Sequence, residues 1–366
     1  MHVPVRRPET PANPGFFARE REGWMPQTKI AEASATQAAP GERTISYVEA
    51  GIEALREEMQ RDSTVFYIGQ GIGPRGGNWQ QTRGLCAEFG EERLRDTPIS
   101  EVGQVGVGIG AAMAGSRPIV DIVFLDFMLE TCGMLIQQAS TTYYISNGKI
   151  KVPLLVRAAM GGVRSSGPHH SHTLYNFFVH IPGLEVVVPA TPYDVKGLMK
   201  TAIRNDNPVL FLEHKGLYNT KGSVPREEYF IPFGKAVVRR AGSDVTLVAV
   251  SLMVSRALDA AEVLASKGIS VEVIDPRTAA PLDRESILTS VAKTGRLAIV
   301  DEAYAACGFS AEIAALVAEE ALDNLDAPVC RICALPAPHA FSPALDTYLQ
   351  PTTEKIVSAI TQMMQR

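Results

Sequence analysis

The chain has 366 residues, more than one ordinary core organises and about right for two domains. Its 46% hydrophobic and 20% charged content is that of a globular protein in water, and a net charge of −5 gives no reason to expect nucleic acid or an anionic membrane as partner. No apolar run reaches the length needed to span a bilayer, and the N-terminus lacks the apolar core of a secretory signal.

Residues 1–43 are proline-rich and without apolar periodicity, which predicts a loose arm. Its arginines are mixed with glutamates, which weakens a mitochondrial transit reading and favours a bacterial-type cytoplasmic setting over the mitochondrial matrix. Residues 45–61 carry apolar positions at helical spacing with a charged outer face. A short β-branched and aromatic run over 64–68 predicts a strand, followed by the Gly-rich loop GQGIGPRGG. No Gly-Lys-Ser/Thr follows, so a Walker phosphate loop is excluded. The stretch DTPISE then delivers one carboxylate, Glu101, ahead of a Gly/Ala-rich helical run. Gly106, Gly108 and Gly110 lie inside that run with no strand before them, which points to close helix packing rather than a dinucleotide fingerprint. Glu101 is the only acid between Asp96 and Asp121. Such a group is either a surface loop residue or a desolvated acid aimed at something.

Strands are predicted over 119–124, 152–156, 184–188 and 209–213. Helices are predicted over 127–144 and 193–204, and a Gly/Ser/His loop over 160–172. A polar, Pro-containing segment from about 215 reads as a linker. A second alternation follows, with strands over 244–250, 270–274, 296–300 and 329–335. Its helices cover 255–267, 287–294, 310–322 and 353–363. Strand and helix alternate throughout, which predicts an α/β chain of two domains, each a mainly parallel sheet flanked by helices. The expected divisions are an arm over 1–43, a first domain over 44–220, a linker over 221–240 and a second domain over 241–366. Five scattered cysteines do not make a disulfide framework. Cys330 and Cys333 form a CxxC without a second ligand pair, so structural thiols in a strand and a reducing cytoplasm are expected.

The loop His169-His170-Ser171-His172 has three readings on residue type alone: a metal site, a solvated loop, or an acid–base histidine near neutral pH.

Taken together, DTPISE, RPIVDIVFLDF, the RxxxGG stretch ahead of HHSH, HIPGLEVVVPATPYDVKGLMKTAIRNDNPVLFLEHKGLY and VIDPRTAAPLD resemble the beta subunit of thiamine-diphosphate-dependent 2-oxo acid dehydrogenases. These are the pyruvate, branched-chain and acetoin dehydrogenase decarboxylating components of the transketolase-like superfamily. The resemblance runs in unbroken order from Thr44 to the C-terminus. It implies a pyrimidine-binding domain followed by a transketolase C-terminal-like domain. It implies that Glu101 hydrogen-bonds the cofactor's aminopyrimidine ring and favours the imino tautomer that deprotonates the thiazolium carbon. Phe127 would pack on the pyrimidine, and His170 would stabilise charge and help pass the acyl group to a lipoyl arm. His180 matches a position near the fold core. Leu154 and the segment from Ala202 through Asn205 to Asn207 match a loop that holds a structural potassium ion in some relatives.

The family's diphosphate and magnesium motif, Gly-Asp-Gly followed by Asn, is absent from this chain. In the family it lies on an alpha subunit. The resemblance therefore implies an α2β2 heterotetramer, inactive without its alpha chain, that takes a small 2-oxo acid. The second domain would serve dimer contacts and docking of a lipoyl acyltransferase. Three departures stand out: Gly69-Gln70-Gly71-Ile72 for Gly-Glu-Asp/Glu-Val, His169-His170-Ser171-His172 for Gln-His-Ser-Gln, and Gly133-Met134 for Asp-Gln. The alternatives are the C-terminal half of a split transketolase or related carboligase, and a catalytically silent structural subunit.

Overall fold

The computed structural model describes residues 43–365. The arm expected over 1–43 lies outside them except for Arg43. The first strand, β1 (Thr44–Ser46), runs into the helix Tyr47–Arg61. That helix starts two residues later than the periodicity suggests, because Ser46 caps it. The Ser46 side chain accepts from Glu49 N, and Glu49 reaches back to the Ser46 amide.

Five parallel β-α steps build the first sheet. Its strands are β2 (Val65–Gly69), β3 (Leu94–Asp96), β4 (Arg117–Phe124), β5 (Leu155–Met160), β6 (Glu185–Val187) and β7 (Val209–His214). The second sheet gathers β9 (Val237–Arg240), β10 (Val245–Ala249), β11 (Val271–Asp275), β13 (Leu297–Tyr304) and β14 (Cys330–Ala334). Its order is β14-β13-β10-β11-β9, parallel except for β9. A two-stranded ribbon pairs β1 with β8 (Lys221–Ser223). Both β8 and β9 fall inside the segment expected to be a linker, so much of that segment is tied to sheets.

One short strand crosses between the domains. β12 (Thr278–Ala280) follows β11 in sequence yet pairs antiparallel with β6, giving the seven-stranded order β12-β6-β7-β5-β4-β2-β3. Buried charges support the crossing. Arg277 donates to Asp194 at 2.8 Å, and Arg239 donates to Asp275 at 2.7 Å and also to Asp194. Burial works against ionising Asp194, but the two guanidinium groups outweigh it and hold its carboxyl below the usual range.

Two helices cover one face of the first sheet. The helix Pro192–Arg204 is capped by Thr191 with Pro at its first turn. It packs on the helix Tyr47–Arg61, and its buried lysines pair across the contact, Lys196 with Glu57 at 3.0 Å and Lys200 with Glu57 at 2.6 Å. On the opposite face lies the helix Glu101–Met113. At Gly108 a Cβ would sit 2.6 Å from Val120 and 3.0 Å from Leu154, so glycine is what lets this helix lie against β4.

Two elements differ from expectation. The segment 127–144 is helical but broken into short α, 3-10 and π turns, the π turn at Leu135–Ala139. There the Ser140, Thr141 and Thr142 hydroxyls each donate to the carbonyl four residues back, an alternative partner that loosens the regular ladder. The strand expected over 152–156 instead runs from Leu155 to Met160. Its continuation was hidden by Arg157, a charge in an apolar run. Arg157 is fully buried and donates to Glu213 at 2.9 Å and to Tyr67 at 3.2 Å.

Candidate active site

In a parallel sheet the loops after the strands collect at one edge, where ligands bind in open α/β folds. That edge holds most of the residues singled out in the sequence. Gln70 follows β2, Glu101 opens the helix after β3, Phe127 follows β4, and His170 lies in the loop after β5. His214 ends β7, and Lys215 follows it.

Glu101 is half-buried at the first turn of its helix, where exposed amides favour a negative group. The Gln70 side-chain amide donates to its Oε1 at 3.2 Å. Its second oxygen accepts no hydrogen bond among the described residues. Gln70 thus occupies one oxygen of Glu101 and leaves the other for a ligand.

Phe127 and His170 meet directly, ring centroids 5.5 Å apart and edge to face, and Phe124 approaches the same imidazole at 4.8 Å. Trp79, two residues after the Gly-rich loop, extends the aromatic group. It meets Phe124 edge-on at 5.7 Å and stacks on Tyr218 at 5.6 Å. The three histidines part company. His169 is exposed, His170 sits among the aromatic rings, and His172 Nδ1 bonds Asp126 Oδ1 at 2.6 Å. Among the described residues no group of three or more His, Cys, Asp or Glu could hold a metal. His180, matched to the fold core, is exposed instead.

Several residues at this edge were not visible in the sequence. Asp126 precedes Phe127 in an apolar run and also accepts from the His172 amide at 3.3 Å. From the second domain, Glu302 on β13 pairs with His214 and accepts from the Gly162 amide at 2.7 Å. Burial opposes its charge, yet His214 and that amide hold the Glu302 carboxyl below its ordinary range. Gln350 donates to the Gly162 carbonyl at 3.2 Å. His339, bonded to Asp346 at 2.9 Å, meets the His172 ring edge-on at 6.2 Å. The second domain therefore holds both ends of the histidine loop. Among the described residues three buried polar atoms here have no hydrogen-bond partner, Asp126 Oδ2, the Ser171 hydroxyl and Trp79 Nε1. Such unfilled valences fit a site completed by a ligand or partner.

The candidate potassium loop lies at the opposite end of the sheet. The Leu154 carbonyl accepts from Val209 N at 2.8 Å, the Ala202 carbonyl from Asn205 N at 3.3 Å, and the Asn205 carbonyl from Arg117 at 2.8 Å. Asn207 N donates to Asn205 Oδ1 at 3.0 Å, and both asparagine amides donate to Glu185. Burial raises the Glu185 carboxyl to about 7, against those two donors.

Comparison with known proteins gives the family. The model of the transketolase pyrimidine binding domain matches residues 43–221, and that of the transketolase C-terminal domain matches residues 234–356. The 2-oxoisovalerate dehydrogenase subunit beta of Bacillus subtilis is 42% identical over 87% of this chain and 98% of its own. The chain belongs to the family of 2-oxo acid dehydrogenase beta subunits. A second Bacillus subtilis relative, acetoin:2,6-dichlorophenolindophenol oxidoreductase subunit beta, is 43% identical over 88% of this beta subunit and 98% of its own length. The mitochondrial pyruvate dehydrogenase E1 component subunit beta of Dictyostelium discoideum is 42% identical, covering 86% and 89%. Among solved structures, an inactive beta4 tetramer of a split-gene transketolase superposes with a TM-score of 0.73 at 23% identity, over 88% of this chain and 98% of its own. That likeness is one of fold. No helix among the described residues is long and apolar enough to cross a membrane.

Proposed function

We propose that this beta subunit completes, with an alpha subunit, a thiamine-diphosphate site that decarboxylates a small 2-oxo acid oxidatively and passes the acyl group to a lipoyl carrier. One observation carries the reading: Glu101 and the Phe127–His170 pair gather at one sheet edge, with an oxygen of Glu101 left free. Thiamine diphosphate, when bound, supplies the electron sink that makes loss of carbon dioxide from a 2-oxo acid possible. The chain's own residues do the rest. Glu101 presents a carboxyl oxygen to the pyrimidine end, Phe127 offers a ring, and His170 offers an imidazole to charge that develops nearby.

Nothing in the chain supplies the Gly-Asp-Gly and Asn pattern for magnesium and diphosphate, so the alpha partner holds that end. The exposed apolar residues beside Glu101 support a covering partner: Ile99 is 80% exposed, Val107 56% and Val102 43%. An α2β2 assembly, docking of a lipoyl acyltransferase and a bacterial cytoplasmic setting belong to the same reading. So does a structural potassium ion held by the loop of Leu154, Ala202, Asn205 and Asn207. The relatives of known name act on 2-oxoisovalerate, pyruvate and acetoin, which bounds the substrate to small, uncharged-tailed compounds. A split-transketolase reading is less favoured, since its likeness is 23% in identity against 40% or more for the dehydrogenase subunits.

Isothermal titration with thiamine diphosphate and magnesium tests the division of labour. The expected result is no tight binding to this chain alone and tight binding to the complex with its alpha subunit. Tight magnesium-dependent binding to the chain alone would overturn it.

A further inference from the structure

Lys215 is a buried amine with an unusual set of neighbours. It is 6% exposed, in the 3-10 turn Lys215–Leu217 that follows β7. Its Nζ donates to the backbone carbonyl of His170. The same ammonium lies 5.4 Å from the centre of the Phe124 ring, the ring that touches the His170 imidazole at 4.8 Å. Among the described residues it forms no ion pair, although buried lysines elsewhere in the chain do, Lys196 with Glu57 at 3.0 Å and Lys200 with Glu57 at 2.6 Å. A buried ammonium without a paired carboxylate is costly, and a fold keeps one mostly where it serves a site.

Its surroundings reach across both domains. The titratable groups around the ammonium are Asp126 after β4, His170 and His172 in the loop after β5, and His214 beside it on β7. From the second domain come Glu302 on β13 and Asp346 on the helix Pro343–Leu349. Burial pulls the Lys215 pKa below the ordinary lysine value, while Asp126, Glu302 and Asp346 pull the other way from a distance. The His170 amide itself makes only a long bond, 3.5 Å to the Gly167 carbonyl. The lysine is therefore the strong tether on the His170 backbone, and the two phenylalanine rings set the imidazole.

We propose that Lys215 is a positioning residue for the active-site histidine: its ammonium clamps the His170 carbonyl, holds the imidazole against the touching rings of Phe124 and Phe127, and keeps a positive charge beside that group. A charged donor makes a stronger tether than a neutral one, and a cation over an aromatic face adds to it. Loss of the Lys215 proton at high pH removes both the clamp and the charge. The clamp acts through His170 and touches no substrate, so it governs turnover more than substrate binding.

The inference rests on the function proposed above, and the test separates the two. The complex with the alpha subunit is assayed with pyruvate, 2-oxoisovalerate and acetoin, using 2,6-dichlorophenolindophenol as acceptor. Lys215→Met is expected to lower kcat roughly 10- to 100-fold near neutral pH, with KM changed less than about threefold. It is also expected to abolish the high-pH limb of the wild-type kcat profile. Lys215→Gln keeps a neutral donor and should recover part of the turnover, again without that limb. A Lys215→Met complex with wild-type kcat, or with an unchanged profile merely scaled down, would overturn the proposal. If Lys215→Met fails to assemble, Lys215→Gln reads the same profile, and a retained high-pH limb there overturns it equally. Glu101→Gln serves as the reference: full activity in that variant would sink the proposed function itself, whatever the lysine variants do.

Discussion

Asp301 illustrates how a buried acid is held where the domains meet. Its carboxylate accepts from Tyr175 OH at 2.7 Å and from Ala303 N at 3.1 Å, and burial still raises it to about 6. The folded protein therefore keeps the proton over a pH range in which the unfolded chain has lost it. Stability from this group is present at low pH and is lost as pH rises from about 4 through about 6. Between pH 5 and 7 the Asp301→Asn variant should gain on wild type by on the order of 1 kcal/mol, read as a narrowing gap in thermal midpoint. A gap that stays constant would contradict the assignment. The same scale shows what the sequence could and could not reveal. Glu101 stood out as a lone acid among small residues, and its motif supplied a role. Lys215, Asp126 and Glu302 carried no such mark. Each sits within or just after an apolar strand run, and only the folded edge shows what it faces. His180 misled in the other direction, since a motif position says nothing about which way the side chain turns.

Elements were the most legible level, and they failed where a polar side chain breaks a pattern for a structural reason. The parallel alternation, the capped helices and the strand β14 around Cys330 follow from periodicity and turn residues. Arg157 ended the predicted strand early because a guanidinium in the sheet centre requires Glu213 across from it, and pattern reading cannot supply a distant partner. The strand β12 was missed because three residues have no period, and its partner β6 lies in the other domain. Of the three glycines in the helix Glu101–Met113 read as packing positions, only Gly108 makes a close approach; a Cβ at Gly106 would meet Met134 only at 3.9 Å. Gly108→Ala drives a methyl into Val120 and Leu154 and should cost about 1–3 kcal/mol, partly offset by better helix propensity. At Gly110 a Cβ meets nothing within 4 Å, so Gly110→Ala should stabilise the isolated chain by up to about 1 kcal/mol. Thermal or urea unfolding of both variants checks the contrast, and equal shifts would contradict the packing described for Gly108.

At the scale of the whole molecule, the second domain holds the first domain's histidine loop in place. Glu302, His339 and Gln350 reach the residues on either side of His170, and the strand β12 adds a piece of the second domain to the edge of the first sheet. A change in the second domain can thus reach the histidine without touching substrate. The apolar residues beside Glu101 remain open in the single chain, which agrees with a site finished by a partner. The most direct measurement is turnover of the Glu101→Gln variant, reconstituted with the alpha subunit and assayed with an artificial electron acceptor. The expected result is a fall of about 100-fold or more in kcat with thiamine diphosphate still bound. Wild-type turnover in that complex would mean that the carboxylate at this sheet edge does not activate the cofactor.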